Sequence, residues 1–488
     1  MIRGVRALAA VLVAGCAARA QPAPLAPAVL RLAAELDSAF SGADFARAQW
    51  GVMVQSLDNG QVLYRRNAER LFMPASNQKI VTGGVALARL GADHRWRTPV
   101  LARGVRRGDT LAGDLVVLGR GDPTLSQHAA GGTDILGALR PWADSVRARG
   151  IRAIDGRVVG DATFFPDAPL GDGWSWDDLE YDYSAPVGAL VFNAGFAEIE
   201  VTPGAAGEPA RATLFPSGAP LVLVTDVRTV PAESAATARL SRTRALLSDT
   251  VRVTGAIASG ARARRITVAV PDPVRYFEAA LGQVLREAGI AVTGARRDTA
   301  AAADTLFVWQ SPPLRTILPL FEKPSQNQIG EMLLRSLGTV RGAPGQDSGR
   351  AVVRETLRGW GVSDDAYVYV DGSGLSRYNY LSPEAVALVL GAMARHPDFQ
   401  VFYDALAIAG VDGTLETRMR GTAAAGNARG KTGTISNARN VSGYVTTRDG
   451  ERLAFVLLAN HFTVPSAVPT RVQDRVIERL ANFSRAER

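Results

Sequence analysis

The chain has 488 residues, 47% of them hydrophobic and 21% charged, with a formal net charge of +8 and a single cysteine. That length exceeds one ordinary core and predicts two or three domains, and the composition is that of a globular protein. It excludes an internal disulfide, and no apolar run beyond the N-terminus reaches the roughly 18 residues that suggest a membrane-spanning helix.

The first 20 residues read as an export signal. Arg3 and Arg6 precede a short apolar run, Ala7 to Val13, and Ala18-Arg19-Ala20 offers an A-x-A cleavage pattern. Cys16, after Val13-Ala14-Gly15, resembles a bacterial lipoprotein box, in which the cysteine would become a lipid tether to the membrane. Either route carries the mature chain into the periplasm or cell envelope. Short basic runs such as Arg262-Ala263-Arg264-Arg265 lack interleaved aromatics and read as solvated surface, not as a nucleic-acid interface.

Residues 27–40 carry apolar side chains at helical spacing. Strands are expected at about 49–56 and 61–66, joined by the turn signal Asp58-Asn59-Gly60. Pro74-Ala75-Ser76-Asn77-Gln78-Lys79 then enters a stretch, Ile80 to Leu90, in which nearly every residue is small or apolar, with Gly91 as its stop. A helix that is apolar all round is a buried one, and Gly83 and Gly84 within it suggest close packing. Ser76 and Lys79 stand three apart, so both face one side of the helix start. There an amine can take the proton of a hydroxyl, and free N–H groups and the helix dipole favour negative charge.

Residues 96–305 separate this stretch from the next motif. Their outer parts mix helices near 133–149 and 274–288 with strands at Leu111–Gly119 and Asp155–Val159. The middle, about 190–270, is rich in Val, Thr, Gly and Pro with closely spaced turns and reads as mostly β. From about 306 the chain returns to helices. Ser325-Gln326-Asn327 leads into the stripe Ile329, Met332, Leu333, Leu337, and Ser382-Pro383-Glu384 opens another helix. Lys431-Thr432-Gly433-Thr434 begins a long run to Val445 that continues at Arg452–Ala459 after Arg448-Asp449-Gly450, which predicts a hairpin of two long strands. A final helix is expected over about 469–482.

Of the 55 basic residues only Lys79, Lys323 and Lys431 are lysine. Arginine keeps its proton in a protein and lysine can give it up, so retained lysines mark candidate chemistry. The three stand on or beside S-x-x-K, S-x-N and K-T-G, in that order. A serine three residues before a given lysine arises by chance about one time in fifteen, but the ordered set does not. This set resembles the motifs of the serine β-lactamases and penicillin-binding proteins. The long gap between Ser76 and Ser325 narrows the likeness to the class C low-molecular-mass penicillin-binding proteins, the D-alanyl-D-alanine carboxypeptidase/endopeptidase family. Gly121-Asp122-Pro123-Thr124-Leu125, Asp371-Gly372-Ser373-Gly374-Leu375-Ser376-Arg377 and Gly410-Val411-Asp412-Gly413-Thr414-Leu415 fit the same family, and Gln326 departs from its more frequent Asp or Asn.

The resemblance implies a mixed α/β catalytic domain, an antiparallel sheet with helices on both faces beside a helical lobe, over 21–95 and 306–488. An inserted α+β domain would occupy 96–189 and 271–305, with a nested β subdomain at 190–270. It also implies a serine D,D-peptidase acting on peptidoglycan stem peptides and acylated by β-lactams, with no cofactor. Ser76 would be the nucleophile, Lys79 the base and Ser325 the proton carrier to the leaving amine. Asn327 would hold the substrate amide, Lys431, Thr432 and Gly433 would meet its carboxylate end, and Ser76 and Thr434 N–H groups would form the oxyanion hole. Lys323 has no implied role. A metallohydrolase is disfavoured because His94, His128, His396 and His461 are scattered, and no G-x-S-x-G elbow supports a Ser-His-Asp hydrolase. The rival from another class is a non-catalytic cell-wall-binding module, which would be expected to lack one of these motif residues.

Overall fold

The computed structural model describes residues 26–127, 129, 131–246, 248–295 and 303–486. The expected export signal, Cys16 and His128 lie outside the described residues.

The strand Arg452–Asn460 is buried almost end to end, as its run of apolar residues requires. It lies inside a six-stranded sheet of order Ala407–Ile408, Arg429–Ile435, Ala438–Thr446, Arg452–Asn460, Gln49–Ser56, Val62–Arg66, with every neighbouring pair antiparallel. Alternation along the strands sends side chains to two separate cores. Val52, Val54, Phe455 and Leu457 pack against Leu32, Leu36 and Phe40 of the helix Pro27–Phe40 and against Val472, Val476 and Leu480 of the helix Ala467–Ala481. Met53, Val456 and Leu458 point the other way, onto Ile80, Val81 and Val85 of the helix Gln78–Leu90. That central helix is enclosed in turn by the helices Leu314–Glu322, Asn327–Leu337, Gln346–Gly359 and Pro383–Ala394. Its glycines sit at tight contacts: a Cβ on Gly84 would stand 3.2 Å from Met393 Cγ, and one on Gly83 would stand 2.5 Å from Glu322 Oε1. The expected mixed α/β class, with helices on both faces of an antiparallel sheet and a helical lobe, is the architecture adopted.

The insertion has its own sheet, in which Arg97–Arg107 and Thr110–Leu118 pair antiparallel, with Ala153–Ile154, Val158–Asp161, Ala291–Val292 and Ala303–Gln310 beside them. Residues 196–269 add two three-stranded sheets. These β segments share one apolar core with the rest of the insertion: Ile199, Val251 and Val268 belong with Leu115, Trp142, Phe277 and Leu281.

Three expectations shift. Ala303–Gln310 pairs with Arg97–Arg107, so the chain is still in the insertion's sheet past residue 306. The helix expected from 133 runs only over Arg140–Ala148, where Pro141 pre-sets its first turn. The run that starts at Lys431 is two strands, Arg429–Ile435 and Ala438–Thr446, so the hairpin is a three-stranded meander. Ser436-Asn437 makes the extra turn, with Asn437 at φ +60°, a left-handed conformation that asparagine tolerates.

The two strands carrying and facing Lys431 approach closely because glycine faces glycine, Gly430 opposite Gly443. A Cβ on Gly443 would stand 2.0 Å from the Arg429 carbonyl oxygen, a backbone atom that cannot rotate away. Gly443→Ala is therefore expected to destabilise the protein by about 1–3 kcal/mol, read as a lower midpoint in denaturant unfolding followed by circular dichroism.

Candidate active site

Ser76 lies in the single 3₁₀ turn Ala75–Asn77 that feeds the central helix. Polar side chains from the sheet fix this turn. Asn440 Nδ2 donates to the carbonyls of Met73 (2.9 Å) and Pro74 (2.7 Å), and Met73 N donates to Asn460 Oδ1 at 2.8 Å. Asn77 Nδ2 donates to the Lys431 carbonyl at 2.7 Å, and Ser442 Oγ donates to Asn77 Oδ1. Gly433 permits the strand to pass this close: a Cβ there would stand 2.4 Å from the Pro74 carbonyl oxygen and 3.2 Å from Ser76 N. The Lys431–Thr434 strand is thereby set against the start of the helix.

Lys79 is fully buried and its amine has three partners: Ser76 Oγ at 3.0 Å, Asn327 Oδ1 at 2.6 Å and the Ser373 carbonyl at 2.6 Å. Burial pulls its pKa well below the ordinary lysine value, and the Lys431 charge pulls it further; Glu322, Asp371 and Glu331 act in the opposite direction. Lys431 is also fully buried, donates to the Thr432 carbonyl at 2.9 Å, and is lowered by burial to about 8, with Glu322 opposing.

Asn327 opens the helix Asn327–Leu337, and Ser325 precedes it on a turn with φ +65°, a left-handed conformation uncommon for serine. Asn327 uses both ends of its amide: Oδ1 accepts from Lys79, and Nδ2 donates to the Tyr183 carbonyl at 2.7 Å. Tyr183 belongs to the insertion, so the insertion reaches the site. Ser76, Ser325, Asn327, Thr432 and Thr434, with Asp178, Tyr183 and Arg377, line one cleft of roughly 530 Å³. Gln326 turns away into a second cavity, between Pro123 and Met332.

The structure thus brings Ser76, Lys79, Ser325, Asn327, Lys431, Thr432, Gly433 and Thr434 together. Lys323 is not among the cleft residues. Its amine pairs with Asp412 and its carbonyl accepts from Thr414 N, which ties the Ser325 loop to the Gly410–Leu415 turn. Thr414 Oγ1 in turn accepts from Thr432 Oγ1 at 2.8 Å.

Sequence reasoning missed the support beneath Lys79. Asp371 accepts from Gly374 N (2.8 Å), Ser376 N (2.7 Å), Asn379 Nδ2 (2.7 Å) and Trp174 Nε1 (2.9 Å). Glu331 Oε1 accepts from Gly372 N and Ser373 N, and its Oε2 pairs with the buried Arg335. These two carboxylates shape the Asp371–Arg377 loop so that the Ser373 carbonyl meets Lys79. The recurrent Gly and Ser of that loop were the available signal.

The family model described as "D-Ala-D-Ala carboxypeptidase 3 (S13) family" matches residues 32–483. The chain is 36% identical over 457 residues to a D-alanyl-D-alanine carboxypeptidase of Actinomadura sp. (strain R39), covering 89% of this chain and 81% of that one. It is 26% identical over 423 residues to the D-alanyl-D-alanine carboxypeptidase DacB of Haemophilus influenzae, covering 85% of each. The crystal structure of penicillin binding protein 4 (dacB) from Haemophilus influenzae superposes with a TM-score of 0.75 at 24% identity, over 92% of this chain and 99% of that one. The fold is accordingly the penicillin-binding, serine β-lactamase-like one.

Gly374 has φ +84°, and a Cβ there would stand 1.9 Å from the carbonyl oxygen of Ala75, next to Ser76. Gly374→Ala is expected to displace the Ser76 turn and to destabilise the protein by about 1–3 kcal/mol, read as a lower midpoint in denaturant unfolding.

Proposed function

The chain belongs to the D-Ala-D-Ala carboxypeptidase 3 (S13) family, and from that premise we propose that it is a serine D,D-peptidase of peptidoglycan working through a Ser76 acyl-enzyme. Its substrates are D-Ala-D-Ala termini of stem peptides, and by the same chemistry D-Ala-containing cross-links. The observation that carries this reading is the buried Lys79 amine, 3.0 Å from Ser76 Oγ and held below its ordinary pKa.

Ser76 Oγ attacks the carbonyl carbon of the penultimate D-Ala while the neutral Lys79 amine takes its proton. The N–H groups of Ser76 and Thr434 receive the developing oxyanion. Ser325 passes a proton to the nitrogen of the leaving D-Ala, and the C–N bond breaks. Lys431 and Thr432 draw the terminal carboxylate, with Gly433 keeping the strand close. Asn327 orients Lys79 through Oδ1. To hold a substrate carbonyl it must release the Tyr183 carbonyl from Nδ2. Water then attacks the ester and frees Ser76. A β-lactam offers an acyl group to the same serine; a complex of the Haemophilus influenzae protein with a β-lactam has the same fold, with a TM-score of 0.71. The envelope is the place of action in this reading, reached through the export signal expected at residues 1–20, with Cys16 as an optional lipid tether. The rival, a non-catalytic wall-binding module, has no use for a lysine held beside a serine at a depressed pKa.

Benzylpenicillin is expected to leave one stoichiometric adduct on the peptide containing Ser76, seen by mass spectrometry, and none on Ser76→Ala. Ser76→Ala is also expected to abolish turnover of a D-Ala-D-Ala peptide. A folded wild type that takes no adduct and turns over no such peptide would favour the binding module.

The acylation rate should follow a bell in pH. It rises as Lys79 loses its proton, at a pH well below that of an ordinary lysine, and falls as Lys431 loses its own near 8. Lys79→Arg, which keeps the charge but cannot act as base, is expected to lose about 10²–10⁴-fold in acylation rate at every pH.

A further inference from the structure

Glu322 ends the helix Leu314–Glu322. Leu314, Leu318 and Glu322 recur every four residues, so the carboxylate falls on the helix's buried face. It is fully buried, and neither Oε1 nor Oε2 has a hydrogen-bond partner among the described residues. Oε1 lies against Gly83, where a Cβ would stand only 2.5 Å away. Gly83 is one helical turn beyond Lys79 on the same face. A buried carboxylate without hydrogen bonds is expensive and persists only where opposite charge compensates it.

The charges around it are few. Lys79 from the central helix and Lys431 from the sheet both act on Glu322. Its neighbour Lys323 points elsewhere, to Asp412. On the adjoining helices Glu331 is paired with Arg335, and Asp404 with Arg429. Asp371 and Glu331 also act on Lys79, and on Lys431 the acting charge is Glu322.

We propose that Glu322 is a positioning residue for the reaction: a buried counter-charge, shared by two lysines, that keeps Lys431 cationic while Lys79 gives up its proton to become the base. The inference rests on the acyl-enzyme reading above. Two buried ammonium groups repel, and the site needs one of them charged and one neutral. One carboxylate whose charge acts on both supplies the compensation for a single positive charge. Burial raises Glu322 to about 7 and lowers Lys431 to about 8, so these two groups titrate over one narrow range of pH, and Lys79 is held well below the ordinary lysine value beside them.

Glu322→Gln keeps the shape and removes the charge. Lys431 then keeps its burial and loses its opposing carboxylate, so its pKa falls further. The alkaline limb of the acylation bell with benzylpenicillin is expected to move to lower pH by about one unit, leaving about a tenfold loss at a pH above both limbs, with an unchanged or higher melting temperature. Unmoved limbs, whether or not the rate drops, would show that Glu322 only fills space.

A second measurement needs no variant. With three lysines in the chain, 13Cε-lysine labelling gives three signals to titrate by NMR. Those of Lys79 and Lys431 should each carry an extra inflection from Glu322. Absence of that inflection overturns the proposal even if the variant does not fold. Failure of wild type to be acylated would instead sink the acyl-enzyme reading, while the lysine titration would still report on Glu322.

Discussion

The structure depends on holding a lysine amine without water. Burying Lys79 costs free energy in its charged form and holds its pKa well below the ordinary lysine value. It is tolerable because every proton of the amine has an acceptor: a hydroxyl, a side-chain amide oxygen and a backbone carbonyl. Each acceptor is itself fixed by something else. Ser76 is fixed by the turn that Asn440 and Asn77 stitch to the sheet, Asn327 by the Tyr183 carbonyl, and the Ser373 carbonyl by a loop wound around Asp371 and Glu331. The core around the central helix makes this rigid, since a helix buried on every side cannot shift without opening several close contacts at once.

Close approach is the second constraint. Gly433 lets the strand pass the Ser76 turn, Gly374 lets the loop pass Ala75, and Gly430 faces Gly443 behind Lys431. At each point a methyl group would meet a backbone atom and not a movable side chain. The three motif segments are hundreds of residues apart in sequence, and these glycines are where the backbone itself converges on the site. The insertion takes part too. Gln328 donates to the Asp182 carbonyl and Trp174 to Asp371, so residues 174–185 are held against the S-x-N helix and the Asp371 loop. An enlarged chain therefore does not leave the site as it would be without the insertion; it supplies one wall.

What was legible in the sequence was whatever leaves a local pattern. Ser76 and Lys79 are spaced by one helical turn, the central helix is apolar all round, and the sheet strands are apolar runs bounded by turn signals. The rest has no local signature. Glu331 and Asn440 are single polar residues that reach backbone groups far along the chain, and Asp371, though it opens a stretch singled out in the sequence, shows its role as acceptor for Gly374 N, Ser376 N and Asn379 Nδ2 only in the fold. Glu322 was not singled out in the sequence: it shares a four-residue repeat with Leu314 and Leu318, and the packing against Gly83 gives that place its meaning. The turn at Ser436-Asn437 was missed because apolar residues on both sides of it continue the strand pattern, and one asparagine in a left-handed conformation is enough to reverse the chain.

The scarcity of lysine was the most informative compositional fact, and the structure limits how far it reaches. Lys79 and Lys431 are where lysine is needed in the chemical sense, since both are buried with depressed pKa values, which arginine would resist. Lys323 is different: a partly exposed ammonium paired with one carboxylate, holding a loop. The ammonium sits on Asp412 while the Lys323 carbonyl takes the Thr414 N–H. Rarity of a residue type therefore picks out candidate positions, and burial separates Lys79 and Lys431, whose pKa values it lowers, from Lys323, whose ammonium is partly exposed on Asp412.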